Sequence, residues 1–253
     1  MRQRRPRVHA ITNLVAMSLT ANGLLAVGAA SPILSGDPAE AEELTRHADA
    51  LLLNLGTPNP VWIPGMHAAA AAARDAGHPV ILDPVAVGMS ALRGQLTRQL
   101  LATGVTVLKG NAAEVQFLAD GSGAGGIEAG AAVNAAAAAR ELAARIGAVV
   151  VATGPVDYIT DGRVTLTVRA GHPRQAEVTG MGCLAGALIA ACCAVCPPLE
   201  ASAAALALFG AAAEAAAVAT AGPGSFASAL LDALAALNPE STGLNDRIRV
   251  EPL

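Results

Sequence analysis

Short apolar runs alternate with alanine-rich segments of helical length along the first 153 residues of the chain. The runs are RVHAI, ALLLNL, HPVILD, GVTVLK and AVVVAT, and they are rich in β-branched residues or leucine. The segments that lie between most of them are 13–27, 38–48, 60–76, 91–102 and 128–146. Strands that alternate with helices form parallel sheets, because each helix returns the chain to the edge where the next strand begins. The sequence therefore predicts an α/β fold with a mostly parallel central sheet and helices on both faces.

This pattern changes after residue 153. The stretch DYITDGRVTLTV alternates apolar and polar residues around Asp161-Gly162, which is typical of a β-hairpin. Three helical segments follow, at 180–196, 199–220 and 224–236. With no linker and no internal repeat in the sequence, we interpret residues 1–253 as a single domain.

Charge and cysteine usage exclude some classes of function. The net charge is −4 and four arginines fall within the first seven residues, so the chain offers no basic face for nucleic acid. MRQRR followed by an apolar segment resembles a signal peptide, which leaves an exported solute-binding protein as one hypothesis. The polar residues between His9 and Asn22 argue against a cleaved signal and against a membrane span. All four cysteines lie between Cys183 and Cys196, a poor disulfide framework, which favours the cytoplasm.

Polar clusters occur where each predicted parallel strand ends. They are ITN, NLGT, DPVAVG, KGNAAE and TGPVD, in chain order. Ligands of open α/β sheets bind at the carboxyl ends of the strands. Several such clusters in succession predict one long cleft along this edge.

The residue types in these clusters indicate phosphoryl transfer. TGMGC places two glycines before a helix, where backbone N–H groups and the helix dipole favour an anion. Asp83 and Glu114 are carboxylates at adjacent strand ends that could hold Mg²⁺ directly or through water. Lys109 could reach a phosphate as a mobile point charge. Each feature alone also has a purely structural explanation, namely a glycine turn, an Asp-Pro turn, a helix cap and a solvated lysine. Together they match the parts of a kinase site.

Two motifs carry little weight as ligand sites. GSGAGG at 121–126 matches a dinucleotide-binding pattern, but it follows a short helical stretch rather than a strand, and we interpret it as a flexible surface loop. CCAVC has no second Cys or His pair to complete a zinc site, so these three cysteines are expected to fill the core. Cys183 differs because it lies at the start of the helix, beside the predicted anion site, where a thiol pKa is lowered.

These motifs, in order, resemble those of the hydroxyethylthiazole kinases. The stretches that carry the resemblance extend from about residue 8 to 195: VHAITNLVAMSLTANGLLAVGAASPIL, LLLNLGT, VILDPVAVG, VLKGNAAEV, VVATGPVDYITDG and VTGMGCLAGALIAA. The resemblance implies a ribokinase-like fold and ATP- and Mg²⁺-dependent phosphorylation of 4-methyl-5-(2-hydroxyethyl)thiazole in thiamine salvage. It also implies a homotrimer with active sites between subunits. A hydroxymethylpyrimidine kinase and an ATP-dependent NAD(P)H-hydrate dehydratase remain the alternatives on this fold.

The same resemblance assigns roles to residues. Cys183 corresponds to the residue near the accepting hydroxyl, where sugar kinases of this fold have an aspartate base. The others are Asp83 and Glu114 on the metal side, Lys109 and Thr153 at ATP, and Gly180, Leu34, Asn13 and Gly56 at the thiazole.

Four positions depart from the family pattern. Lys109 stands where arginine is usual, which exchanges a bidentate fork for a point charge. Leu34 replaces a usual methionine, which keeps an apolar wall of similar volume. Ala86 stands where glycine is common. Met181 stands where a smaller residue is common, and it either crowds the phosphate or points away from it.

Overall fold

A single sheet of eight strands forms the centre of the molecule. The computed structural model describes residues 1–121, 134–238 and 243–251. In this part of the chain the strands lie side by side in sequence order, from β1 at one edge to β8 at the other. They are β1 (Val8–Ile11), β2 (Ala50–Asn54), β3 (Val80–Asp83), β4 (Val107–Asn111), β5 (Val149–Thr153), β6 (Asp157–Thr160), β7 (Thr165–Val168) and β8 (Ile248–Glu251).

The sheet is parallel in its first half and antiparallel in its second. Strands β1 to β5 pair in parallel, while β5 to β8 pair antiparallel. Strands β6 and β7 form the hairpin predicted around Asp161-Gly162, and Gly162 has the positive φ of 90° that this turn requires. The predicted α/β fold with its mostly parallel sheet and terminal hairpin is confirmed.

Helices cover both faces of the sheet. Within the described residues they are α1 (Met17–Ala26), α2 (Ala41–Arg46), α3 (Trp62–Ala76), α4 (Ala91–Leu101), α5 (Ala112–Asp120), α6 (Ala135–Ile146), α7 (Met181–Cys193), α8 (Pro198–Ala219) and α9 (Pro223–Ala236). One hydrophobic core lies between the sheet and α1, α7, α8 and α9. A second core lies between the opposite face and α2 to α6. A parallel sheet buries both of its faces, so each face needs such a cover.

Two details differ from the sequence prediction, and a third prediction is not tested. Helix α1 begins at Met17 rather than residue 13, because Asn13 to Ala16 form the turn that leaves β1. Strand β8 is an element that the sequence did not predict. Of the loop at 121–126, Gly121 ends α5 in the left-handed region, and the rest lies outside the described residues.

The amino-terminal segment is built into the fold. Strand β1 is completely buried, and α1 packs against α7 and α9. Removal of a signal peptide up to the Ala29 region would therefore take away one strand and one helix, which speaks against the exported-protein hypothesis.

Helix α8 is the candidate in the described residues that is long and apolar enough to cross a membrane. The most apolar 18 residues of this helix have a mean hydropathy of 1.6, and 67% of this stretch is buried inside the protein. The buried residues are mostly alanines that allow α8 to lie close to α7 and α9.

Candidate active site

The carboxyl edge of the parallel strands gathers the polar side chains that the sequence singled out. Asn54 ends β2 opposite Asp83 at the end of β3, and Asn111 ends β4 opposite Thr153 at the end of β5. Lys109 lies two residues before the end of β4. Parallel pairing in register aligns the strand ends, so residues far apart in sequence meet along one line.

A chain of hydrogen bonds runs along this edge from a thiol to an ammonium group. Asn13 Nδ2 donates to Cys183 Sγ at 3.1 Å and to Asn54 Oδ1 at 2.8 Å. Asn54 Nδ2 donates to Asp83 Oδ2 at 2.9 Å, and Lys109 Nζ donates to the same oxygen at 3.2 Å. Lys109 Nζ also donates to the Gly182 carbonyl at 2.9 Å, which closes the chain beside Cys183. We call these residues, Cys183, Asn13, Asn54, Asp83, Lys109 and Gly182, the polar ring.

Asp83 and Lys109 form a buried ion pair. Their side chains are 1% and 5% exposed. Burial raises the pKa of Asp83, and Lys109 and Asn54 partly offset this rise. Burial also acts to lower the pKa of Lys109, but the carboxylates of Asp83 and Glu114 outweigh it and the pKa is raised. The lysine is thus a fixed charge at the base of the site, rather than the mobile one expected from the sequence.

Glu114 is fixed by backbone donors. Its Oε1 accepts from Ala86 N at 2.7 Å and its Oε2 accepts from Asn111 N at 2.8 Å, while Asn111 caps α5 through the Glu114 amide. Burial, then the charge of Asp83, raises the pKa of Glu114 to about 7. Two carboxylates in one dry site repel each other, so the site favours a cation.

The donors available for a metal fit Mg²⁺ held mostly by water and phosphate. In the described ranges no three His, Cys, Asp or Glu side chains are grouped as a complete metal site. Asp83 Oδ1 is buried without a hydrogen-bond partner, although its carboxylate is held rigidly through Oδ2. Mg²⁺ keeps several waters and uses one or two carboxylates together with substrate phosphates. Asp83, with Glu114 beside it, meets that requirement.

Ala86 adopts a backbone conformation that suits glycine. Its φ of 57° and ψ of 40° lie in the left-handed region, which costs roughly 1–2 kcal/mol for a residue with a Cβ. The amide of Ala86 is the one that binds Glu114, so the strained turn orients the second carboxylate. Glycine, which the resemblance places at this position, would adopt the same conformation without that cost.

The turn before α7 has the geometry of an anion site. Gly180 caps the helix with φ of 91°, and a Cβ there would lie 3.1 Å from Ala16 Cβ. The first helical residues, Met181, Gly182 and Cys183, direct unbonded N–H groups out of the helix start. Met181 is 4% exposed and belongs to the core under α7, so its side chain is packed among apolar neighbours.

A cleft of about 790 Å³ adjoins this turn. Thr153, Gly154 and Asp157 line one side, and Phe209, Gly210 and Glu214 of α8 line another. Its outer wall is held by Glu214, which accepts from Gly171 N at 3.0 Å and from Arg247 at 2.7 Å. The segment at 170–171 lies so close to α8 that a Cβ on Gly210 would be 2.3 Å from Ala170 Cβ. The volume of this cleft is sufficient for a ligand the size of a nucleotide.

Of the two remaining predicted residues, the structure brings Gly56 against the polar ring. Gly56 N donates to Asn54 Oδ1 at 2.9 Å, and a Cβ on Gly56 would be 2.5 Å from Asn13 Nδ2. Leu34 is outside the ring, in the segment that pairs with β1 through Ile33, and packs on the core that contains Met181.

The sequence analysis missed three residues of the site. Asn54 is a buried amide that ends an apolar strand, and Asp157 is a buried acid that begins one. Arg93 donates to the carbonyls of Leu55, Gly56 and Val85, and so joins the loops after β2 and β3. A polar residue beside an apolar run is the signal that could have identified the first two.

The mostly parallel sheet with helices on both faces is the fold of the ribokinase-like class of proteins. Solved structures agree. The pyridoxal kinase from Staphylococcus aureus in complex with ADP matches with a TM-score of 0.64 over 83% of this chain and 88% of that one, at 17% identity, which shows the shared fold.

Comparisons with relatives of higher sequence identity point to one family. The sequence profile of the Hydroxyethylthiazole kinase family matches residues 1–240. The hydroxyethylthiazole kinase of Cereibacter sphaeroides is 49% identical over 250 residues, 98% of this chain and 95% of the relative. That of Rhizobium etli is 46% identical over 254 residues, 99% of this chain and 97% of the relative. The structure of the hydroxyethylthiazole kinase from Pyrococcus horikoshii matches with a TM-score of 0.91 and 39% identity, over 99% of this chain and 96% of that one. The chain belongs to the hydroxyethylthiazole kinase family.

Proposed function

We propose that this kinase transfers the γ-phosphoryl group of ATP to the hydroxyl of 4-methyl-5-(2-hydroxyethyl)thiazole, with Mg²⁺, for thiamine salvage. One observation carries the proposal. The polar ring joins Cys183 at the start of α7 to the Asp83–Lys109 pair, so an anion at the helix start lies between a thiol and a cation. The family match favours the thiazole alcohol over the hydroxymethylpyrimidine and NAD(P)H-hydrate alternatives.

ATP is assigned to the cleft beside the anion turn. Thr153 lines it, with its hydroxyl donating to the Gly110 carbonyl at 3.2 Å, and Gly182 lines it next to Lys109. Lys109 contributes to the ATP side indirectly, because its ammonium group donates to the carbonyl of Gly182, which lines the cleft. When bound through Asp83, Glu114 and water, Mg²⁺ would neutralise charge on the triphosphate.

The thiazole is assigned to the opposite side of Cys183. Asn13 donates to the thiol, Gly56 lies against Asn13, and Gly180 lies against Ala16 and Leu19 at α1. Leu34 is assigned to this pocket through the family resemblance. Cys183 then orients the hydroxyl and accepts its proton late, since the transition state of phosphoryl transfer is loose. Burial raises the pKa of Cys183, whereas its place at the start of α7 predicted a lowered one, so the thiol is mostly protonated and its main role is to orient the hydroxyl. Only the thiolate form can accept the hydroxyl proton, which makes Cys183 a modest base.

We also propose a homotrimer in the cytoplasm. Large apolar side chains are exposed close to the site: Leu14 and Val15 after Asn13, and Met89 and Leu92 after the DPVAVG loop, between 49% and 65% exposed. A neighbouring subunit would cover them and complete the pocket. The four cysteines are free thiols, which suits a reducing compartment.

Release of ADP in a coupled assay tests the proposed reaction. Turnover is expected with the thiazole alcohol and not with the pyrimidine alcohol, and chelation of Mg²⁺ should abolish it. Asp83→Asn should lower turnover by roughly 10²–10³, the usual effect of removing one preorganised electrostatic group. The matched control is Asp75→Asn, which alters an exposed carboxylate paired with Arg74 and should leave turnover unchanged. Turnover of Asp83→Asn within threefold of the parent at saturating ATP and Mg²⁺ would refute the metal assignment.

A further inference from the structure

Asn54 is a buried amide whose polar atoms are fully engaged. It ends β2 after four buried apolar residues and is 1% exposed. Its Nδ2 donates to Asp83, and its Oδ1 accepts from Asn13 Nδ2 and from Gly56 N. Burying an amide is costly unless it is hydrogen-bonded, so a buried amide with three good partners at the centre of a site needs a reason beyond packing.

The orientation of this amide is determined by partners that cannot reverse their roles. A carboxylate accepts hydrogen bonds, and Asp83 Oδ2 already accepts from Lys109, so Asn54 must present its NH₂ group there. Its oxygen therefore faces Asn13 and the backbone amide of Gly56. That backbone amide can only donate.

The orientation of Asn13 is determined in the same way. Its Oδ1 accepts from the backbone amides of Val15 and Ala16, at 3.1 Å and 3.0 Å. Its NH₂ group is left to bind Asn54 and Cys183, and the absence of a side chain on Gly56 leaves just enough room for it. Cys183 Sγ thus meets an N–H donor, which stabilises negative charge on sulfur.

We infer that Asn54 is a positioning residue that fixes Asn13 relative to the Asp83–Lys109 pair, so that Asn13 donates to Cys183 and leaves the thiol free to face the acceptor hydroxyl. The inference rests on the proposed site at Cys183, and it adds that the phosphate side and the acceptor side are held as one unit. Asn54 itself touches neither substrate in this arrangement.

Alkylation of Cys183 by iodoacetamide at one fixed pH tests the inference without turnover. Peptide mapping separates Cys183 from the other cysteines. Asn13→Ala should slow the reaction about tenfold, and Asn54→Ala about three- to tenfold, through loss of a donor to sulfur. The double variant should lose clearly less than the product of the two single effects, because residues that act through one another are not additive. The turnover number should follow the same pattern, and the KM for ATP should stay unchanged in Asn13→Ala, which leaves both donors to Asp83 in place.

A merely structural role gives a different result. A loosened site would expose the thiol and speed its alkylation, so unchanged or faster alkylation of Asn54→Ala would overturn the inference, as would singles whose effects multiply in the double variant. Asn59→Ala is the matched control, because this nearby asparagine caps α3 and lies outside the polar ring. If Asn54→Ala does not fold, Asn54→Ser, which keeps a short acceptor, replaces it and should also slow alkylation of Cys183. An unchanged alkylation rate in Asn54→Ser would contradict the inference. Full turnover of Cys183→Ser would refute the role of the thiol and leave the alkylation result intact.

Discussion

Replacing Asp157 by asparagine should stabilise this enzyme at high pH and have a smaller effect at low pH. Asp157 begins β6 on the wall of the nucleotide cleft and is 9% exposed. One hydrogen bond from Gly154 N, at 3.0 Å, reaches its Oδ1, and an asparagine oxygen can accept the same bond. Burial raises the pKa of Asp157 to about 7, since this bond and the charge of Lys109 offset only part of the lost hydration.

The magnitude follows from the rise in pKa. A change from 3.8 to about 7 corresponds to roughly 4 kcal/mol by which ionisation destabilises the folded state. The folded-state pKa is the higher one, so this cost is absent below about pH 4, grows as the pH rises to 7 and is constant above. Asparagine has no such ionisation. The advantage of Asp157→Asn in free energy of unfolding should therefore grow by about 2–3 kcal/mol between pH 5 and pH 8.

Urea denaturation of both proteins at pH 5 and pH 8 measures this difference. The other titrating groups cancel, because they are common to the two proteins. Asp161→Asn is the control, since backbone N–H groups of Val164 and Arg163 lower the pKa of that exposed turn residue. Its effect should not vary over this pH range. A constant difference for Asp157→Asn would mean that Asp157 ionises normally, and the argument from burial would be wrong.

Three further substitutions test other parts of the site. Lys109→Ala should lower turnover, and it should raise the KM for ATP more than the KM for the thiazole alcohol, while Lys109→Arg should stay active. Steady-state kinetics that show a larger rise in the KM for the thiazole alcohol would place Lys109 on the acceptor side. Cys183→Ser should lose about 10- to 10³-fold in turnover, whereas Cys192→Ala should change only stability, by about 1 kcal/mol, when both are compared by kinetics and thermal denaturation. Gly210→Ala should destabilise the fold by about 1–3 kcal/mol and weaken ATP binding, because its Cβ would displace Ala170; an unchanged melting temperature would contradict the close packing.

The strand ends were predictable because a single physical rule places them. Apolar runs followed by polar clusters mark where β1 to β5 leave the core, and the place of Asp83 follows from that rule alone, whereas Thr153 was assigned through the family resemblance. The hairpin was equally readable from Asp161-Gly162. Strand β8 was not, because its four residues IRVE are partly exposed and lie at a sheet edge, where pairing with β7 rather than hydrophobic patterning decides the structure.

The connections within the site depend on three-dimensional pairing that spacing does not encode. The sequence suggested a mobile Lys109, but the aligned ends of β3 and β4 bring its ammonium group against Asp83. The link from Asn13 to Cys183 spans 170 positions, and Asn54 completes it only because β2 lies between β1 and β3. Ala86 shows the same limit, since spacing does not reveal that its left-handed backbone directs its amide to Glu114 across the loop.

The order of the strands also bears on how the chain assembles. Because β1 to β8 lie in the order of synthesis, each strand can pair with the one completed just before it, and no later strand has to be inserted between earlier ones. The parallel half can form while the rest of the chain is still being made. The wall of the nucleotide cleft comes last, since Glu214 is held by Arg247, which immediately precedes β8. A chain that stops before residue 243 should therefore keep its parallel sheet and lose affinity for ATP at the proposed cleft.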